Sequence, residues 1–302
     1  GDAAEFINSQ TSGSATYYPG FGQWDGLLAT LEPGQMYLLK MTEDATLTVT
    51  GLPVDLPSTP ISLIAGWNWI GYLPQNPGDI AEVLASLGDN AEFINSQAVG
   101  SSTYYPDFGQ WAGLLETLEP GLGYLLKMNV DDELIYPEFD GLTRHDENKK
   151  EVMLTETISN WEFNFRDYEH IGNITISVDS REDFEGDIVG VFVDDVCRGM
   201  AERMYFQLDD TYYYMIQVYS NEIDGEKLTF KYYDKTNDEV IEYSETLTFE
   251  NNMIVGDGFN TFGLSRERDL SQSKGYSISD AYPNPFNPVT SFEYTMPEDG
   301  MV

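Results

Sequence analysis

Residues 1–41 read GDAAEFINSQTSGSATYYPGFGQWDGLLATLEPGQMYLLKM, and residues 88–128 read GDNAEFINSQAVGSSTYYPDFGQWAGLLETLEPGLGYLLKM. The passages align without a gap, 87 positions apart, and differ at nine of 41 positions. Self-similarity at a fixed spacing marks a chain built from modules, each burying its own core and contacting its neighbours. Core constraints alone tolerate many apolar exchanges. Here polar residues match as well: Asn95, Gln97, Gln110 and Thr117 repeat Asn8, Gln10, Gln23 and Thr30. Duplication accounts for this, as does selection on a shared binding face.

The second copy has a longer context than the first. Alternation predicts one strand from Ile61 to Leu73, with Trp67 and Trp69 on one face and in the core. Asp79 is positioned as a helix N-cap with Glu82 three residues on. Ile80, Val83, Leu84 and Leu87 follow at helical spacing until Gly88. AEFINSQ and GYLLKM read as further strands, and Leu114, Leu115 and Leu118 as a one-turn helix ended by Pro120 and Gly121. Each unit is thus expected to be a small α+β module. Residue 1 aligns with Gly88, so the first module is expected to be truncated at its N-terminus and the chain to be part of a longer protein.

The most ligand-like feature is an aromatic loop containing Tyr104, Tyr105 and Trp111, with its twin at Tyr17, Tyr18 and Trp24. Tyrosine and tryptophan on a Gly- and Pro-containing loop can stack on sugar faces, or bury against a neighbouring module with their polar tips wet. Both readings stay open.

Acidic residues number 52 against 15 basic, a formal net charge of −37. Phosphate binding needs clustered Lys and Arg, and only Lys40 and Lys127 are basic between Gly1 and Asp140, which argues against nucleic acid and anionic membrane. No apolar run approaches the roughly 20 residues that span a bilayer, so membrane insertion is not expected. Apolar residues at 41% and aromatics at 14% indicate a folded chain. Cys197 is the single cysteine, which excludes an internal disulfide, and its valine-rich setting predicts a buried strand thiol.

Beyond the charged joint GLTRHDENKK at 141–150, alternating runs such as ITISVDS, DIVGVFVDDVCRGMA, YYYMIQVYS and EKLTFKYYD are separated by turn signals. They predict an antiparallel β-sandwich between Val152 and Leu264. Acidic residues gather at its turns: Asp179, Asp183 and Asp187, then Asp194 and Asp195. Carboxylates converging there would suit calcium, which takes oxygen ligands, although no EF-hand spacing is present; solvated turn acids are the alternative. The two histidines, His145 and His170, have no nucleophile-elbow sequence beside them, and no P-loop, HExxH or dinucleotide fingerprint occurs. No enzymatic activity is expected.

Near the end, Tyr282-Pro283-Asn284-Pro285-Phe286-Asn287-Pro288, then Thr290 and Pro297-Glu298-Asp299-Gly300, resembles the start of the C-terminal sorting domain of the type IX secretion family. That family consists of small β-sandwiches on exported and surface-attached proteins of the Bacteroidetes and related phyla, so the resemblance implies an extracellular or cell-surface location. Gly186 to Val193 with Cys197 to Ala201 is similar to a β-domain of unassigned activity often placed before such sorting domains, and the repeats resemble GWNW-type modules of large extracellular bacterial proteins. The expected organisation is mainly β with α+β modules: repeats at 1–59 and 60–142, an antiparallel β-sandwich at 148–268 and a partial C-terminal β-domain at 276–302. The expected role is non-enzymatic, structural or adhesive, with partners either further copies of the chain, as a homo-oligomer or polymer, or surface glycans. The alternative is a carbohydrate-binding or substrate-targeting region of a larger secreted enzyme.

Overall fold

Alternating apolar residues in AEFINS and YLLKM form neighbouring strands in both repeats. The computed structural model describes residues 3–48, 50–138, 161–178 and 186–265, with the backbone alone at 277–278 and 294–295. In the first repeat, β1 (Ala4–Ser9), β2 (Ser14–Tyr18), β3 (Gln23–Gly26) and β4 (Tyr37–Met41) form a sheet in the order β3-β2-β1-β4. The second repeat comprises β5 (Ile61–Leu63), β6 (Gly66–Gly71), β7 (Gly78–Asp79), α1 (Ile80–Val83), β8 (Ala91–Ser96), β9 (Gly100–Tyr105), β10 (Gln110–Gly113), β11 (Thr117–Leu118), β12 (Gly123–Met128) and β13 (Asp132–Leu134). Its main sheet runs β10-β9-β8-β12-β6, the same order with one strand added outside β12.

The copies agree in detail. Both bulge at one glutamate, Glu5 in β1 and Glu92 in β8, and that glutamate pairs with the lysine of the partner strand, Lys40 or Lys127. Gly26 and Gly113 share φ +153°, and a Cβ on either would lie 2.3 Å from the carbonyl oxygen of Ser14 or Ser101. Only glycine permits that approach of the hairpin strands.

Four local expectations are corrected. The strand from Ile61 breaks into β5 and β6, because Gly66 turns at φ +91° and the Asn68 amide closes the turn, accepting from Ile64 N and donating to Ile64 O. Asn68 and Ile70 therefore face the core, while Trp67 and Trp69 are half-buried on the opposite face. The helix is a single α turn: Asp79 caps it by accepting from Ala81 N at 2.8 Å, and the chain then tightens into a 3-10 turn broken at Gly88. Leu118 lies on a strand, since Thr117–Leu118 pairs with Gly78–Asp79. The core itself joins Ile70, Ile80, Val83, Leu84 and Leu87 to Ile94, Leu115, Leu118, Tyr124, Leu126 and Met128.

The repeats meet at the outer edge of β6. Gln10 donates to Trp67 O at 2.7 Å and accepts from Trp69 N at 2.8 Å, while Gln35 bridges Ile70. Met36 sits on Gly123, where a Cβ would come within 2.4 Å of its Cγ. Met36 and Gly123 are the same position in the two copies, so this difference between them is one side chain and the space it fills.

Downstream, β14 (His170–Val178), β15 (Ile188–Val193), β16 (Val196–Phe206), β17 (Thr211–Ser220), β18 (Asp224–Asp234), β19 (Glu239–Glu250), β20 (Ile254–Val255) and β21 (Phe262–Leu264) form one continuous ladder. β16 is shared: its first part pairs with β15 and its last four residues with β17. The two halves fold over a common core of Ile174, Val191, Ile216, Leu228, Phe230 and Phe249. The pairing is antiparallel except where β20 and β21 join β14 in parallel. Asp194 and Asp195 both take positive φ in the tight turn between β15 and β16, as a two-residue hairpin of this hand requires. Two short segments, β22 (Ser277–Ile278) and β23 (Tyr294–Thr295), pair antiparallel. The joint at 141–150 and the Tyr282 to Pro288 motif lie outside the described residues. Among those described, no helix is long and apolar enough to cross a membrane. The described residues are mainly β, with only short helical turns among them.

Cys197 is buried, as expected, and burial pushes its thiol up to about 11. Burial likewise pushes the Tyr124 phenol up to about 12. Both groups bind their proton more tightly when folded, so their contribution to stability is whole below the unfolded values and is lost as pH rises through the folded ones. Denaturation by urea should therefore show a steady midpoint near neutrality that falls between about pH 9 and about pH 12, with Cys197 resistant to thiol reagents until the chain unfolds.

Candidate docking interface on the aromatic hairpin

The hairpin β9-β10 places Tyr104 opposite Trp111, with ring centroids 5.3 Å apart, and β2-β3 repeats this with Tyr17 and Trp24 at 5.4 Å. Alternation along β9 then points Tyr105 to the other face. In the second repeat that face meets the sandwich. Tyr105 packs among Phe206 and Phe259 at 5.5 and 5.4 Å, Phe108 stacks on Phe259 at 5.6 Å, and Phe206 meets Tyr213 at 5.3 Å. The Tyr105 hydroxyl accepts from Gly258 N at 2.9 Å. Burial raises its pKa, and that hydrogen bond offsets part of the rise.

Polar contacts flank the aromatic cluster. The Gln217 amide donates to Asn95 Oδ1 at 2.5 Å and to Ser96 O at 2.7 Å, and the Tyr219 hydroxyl donates to Gln97 O at 2.8 Å. Ser101 donates to the Met215 sulfur at 3.5 Å. Such a seam, with aromatic anchors at the centre and hydrogen-bonded polar groups beside them, is how protein interfaces are built, although the Tyr213 hydroxyl is buried in it without a hydrogen-bond partner.

In the first repeat, Tyr18 and Trp24 are exposed, and Phe21, the twin of Phe108, is 81% exposed. The two copies differ where this matters: Ala112 packs against the seam, whereas the same position in the first copy is the exposed Asp25. A carboxylate at 112 would lose water without gaining a partner. Beside the seam an open groove of about 440 Å³ is lined by Trp111, Glu116, Met204, Tyr205 and Leu208. No family model, curated protein or solved structure matches this chain.

Of the candidate calcium residues, Asp187, Asp194 and Asp195 are described, and they form no metal-holding group. Asp179 and Asp183 lie outside the described residues. Asp187 is buried, accepting from the Tyr232 hydroxyl and from Lys235 N at 2.8 Å. Asp195 pairs with Lys231 at 2.7 Å, which holds its carboxyl below the usual range, and Asp194 is exposed in the same turn. Among the described residues no three His, Cys, Asp or Glu side chains are grouped to hold a metal. His170 opens β14 opposite Ser220, whose hydroxyl donates to Glu226. His145 lies outside the described residues.

Sequence reasoning singled out Tyr105 and Asn95 but missed Gln217, Tyr219, Phe206 and Phe259. Their signal was present only as bulky residues in strands that already read as core, with nothing to say that one face of β17 looks outward to a second module.

Two outcomes follow. Tyr105→Ala and Ala112→Asp should each cost about 2–4 kcal/mol of stability and open the seam to proteolysis, whereas Tyr18→Ala and Asp25→Ala should change melting little. Asp187→Asn should destabilise by about 1–3 kcal/mol, because it weakens a buried hydrogen-bond set, and by the same amount in millimolar calcium as in chelator.

Proposed function

We propose that this chain is a non-enzymatic structural or adhesive protein of the extracellular surface, whose repeats join end to end into an extended assembly. The observation that carries this reading is that aromatic side chains which serve as a joint in the second repeat, Tyr105 and Phe108, have exposed twins in the first, Tyr18 and Phe21. The joint uses Asn95, Tyr105 and Phe108, and their twins Asn8, Tyr18 and Phe21 are the same residues. A patch that docks on a different patch does not close on itself, which suits open assembly. The resemblance of the Tyr282 to Pro288 motif to type IX sorting domains supports a cell-surface location, and the net charge of −37 argues against nucleic acid as partner.

Exposed Tyr18, Phe21 and Trp24, together with the groove at Trp111 and Tyr205, favour surface glycans as a second partner class. Electron micrographs and mass photometry separate the two readings. Assembly predicts species that grow with protein concentration and weaken with Phe21→Ala. Monomers at every protein and calcium concentration, with polysaccharide retention lost on Trp24→Ala, would replace assembly by glycan binding.

A further inference from the structure

The groove of about 440 Å³ beside the seam has walls from two units: Asp79, Gln110, Trp111 and Glu116 line it from the second repeat, Tyr205 and Gln207 from the sandwich. Clefts of roughly 300–1,000 Å³ at the boundary between modules are a common seat for small ligands. Three of the nine differences between the copies fall in this groove. Ser102, Ala112 and Glu116 stand where the first copy has Ala15, Asp25 and Ala29, whereas Trp111 and Leu115 beside them repeat Trp24 and Leu28. The frame of the hairpin is kept and the chemistry of its lining is changed.

The rings of the groove are held in place by the protein itself. Trp111 packs against the core of the repeat and against Tyr104, 5.3 Å between centroids. Tyr205 is 45% exposed, yet its hydroxyl donates to Asp210 Oδ1 at 2.8 Å and its ring lies 5.1 Å from that of Tyr212. Tyr212 in turn lies under the Arg203 guanidinium at 4.1 Å. Rings fixed in this way lose little freedom when a ligand arrives. Beside them the amides of Gln110 and Gln207 and the carboxylate of Glu116, all exposed, supply both hydrogen-bond donors and acceptors.

Charge narrows the choice of ligand. No Lys, Arg or His is among the described residues that line the groove, whereas Asp79 and Glu116 bring carboxylates to it, on a chain of net charge −37. Such a field repels uronates, sulfated sugars and phosphates. We propose that the groove binds an uncharged glycan, whose pyranose C–H faces lie on Trp111 and Tyr205 and whose hydroxyls bond to Gln110, Gln207 and Glu116. This rests on the glycan reading given above and narrows it to one site and one charge class. Because the two walls belong to different units, the bound sugar would also tie the repeat to the sandwich and stabilise the seam as occupancy rises.

Native gels cast with a neutral polysaccharide (a β-glucan, a mannan or a galactan) or an anionic one (alginate or chondroitin sulfate) test this on the full chain. At least one neutral polymer should retard the chain and neither anionic polymer should. Tyr205→Ala should weaken retardation about tenfold, and Gln207→Ala and Glu116→Ala about threefold each, for the loss of one stacking face or one hydrogen bond. All three positions are exposed, and the first copy already carries alanine at the third, so melting of the free chain should not change. The retarding polymer should also slow proteolysis at the seam, and should do so less in Tyr205→Ala. No retardation by any neutral polymer would overturn the proposal together with the glycan reading and leave assembly to the micrographs. Retardation lost with Trp24→Ala but untouched by all three groove substitutions would keep the glycan reading and overturn this site. Retardation by the anionic polymers would overturn the charge class, and capture of oligolysine that no neutral polymer displaces would make the groove a cationic-peptide site instead.

Discussion

Tyr105 buries its ring against Phe206 and Phe259 while its hydroxyl takes the Gly258 amide proton, and the arrangement of the second repeat on the sandwich depends on that contact. An aromatic ring removes a large apolar area from water, but a phenol buried without a partner would lose much of that gain. Gly258 can supply the amide because it is glycine: a Cβ there would lie 2.4 Å from the Phe206 ring. Gln217 and Tyr219 then fix the register by reading backbone carbonyls of the Ser96–Gln97 turn.

The same turn works twice. In the first repeat, Gln10 reaches the backbone of β6 through its side chain; in the second, the Gln97 carbonyl receives Tyr219. The surfaces met differ, one a small α+β sheet and the other a face of the sandwich, yet in each case the turn after AEFINS meets a β-strand of the next unit. Copy differences such as Asp25 against Ala112 and Met36 against Gly123 fall at these contacts, where each copy has a different neighbour.

Much of this was legible in the sequence, and for a physical reason. Period-2 alternation and turn residues are local properties, so β8, β12 and most strands of the sandwich could be read directly, as could the buried Cys197. The length of α1 could not: Ile80, Val83, Leu84 and Leu87 have helical spacing whether the chain makes two α turns or one α turn and a 3-10 turn, and Gly88 decides. Alternation puts Trp67 and Trp69 on one face without saying which face is inner, and the Asn68 amide fixes the turn at Gly66 and takes the inner face itself. Of the docking seam only the repeat's half was visible. The other half is a set of strand residues whose partner is fixed by tertiary placement, and alternation does not distinguish a face turned to its own core from one turned to a neighbour.

The side chains that hold the second repeat to the sandwich belong to the repeat pattern rather than to that copy alone. Duplication of an 87-residue unit would therefore carry the strand, the helical turn and the docking hairpin together, and the last copy would still present Asn, Ser, Gln, Tyr and Phe to the sandwich. Length in such a chain is quantised: it can change by whole units through recombination between near-identical copies, without a new joint having to evolve.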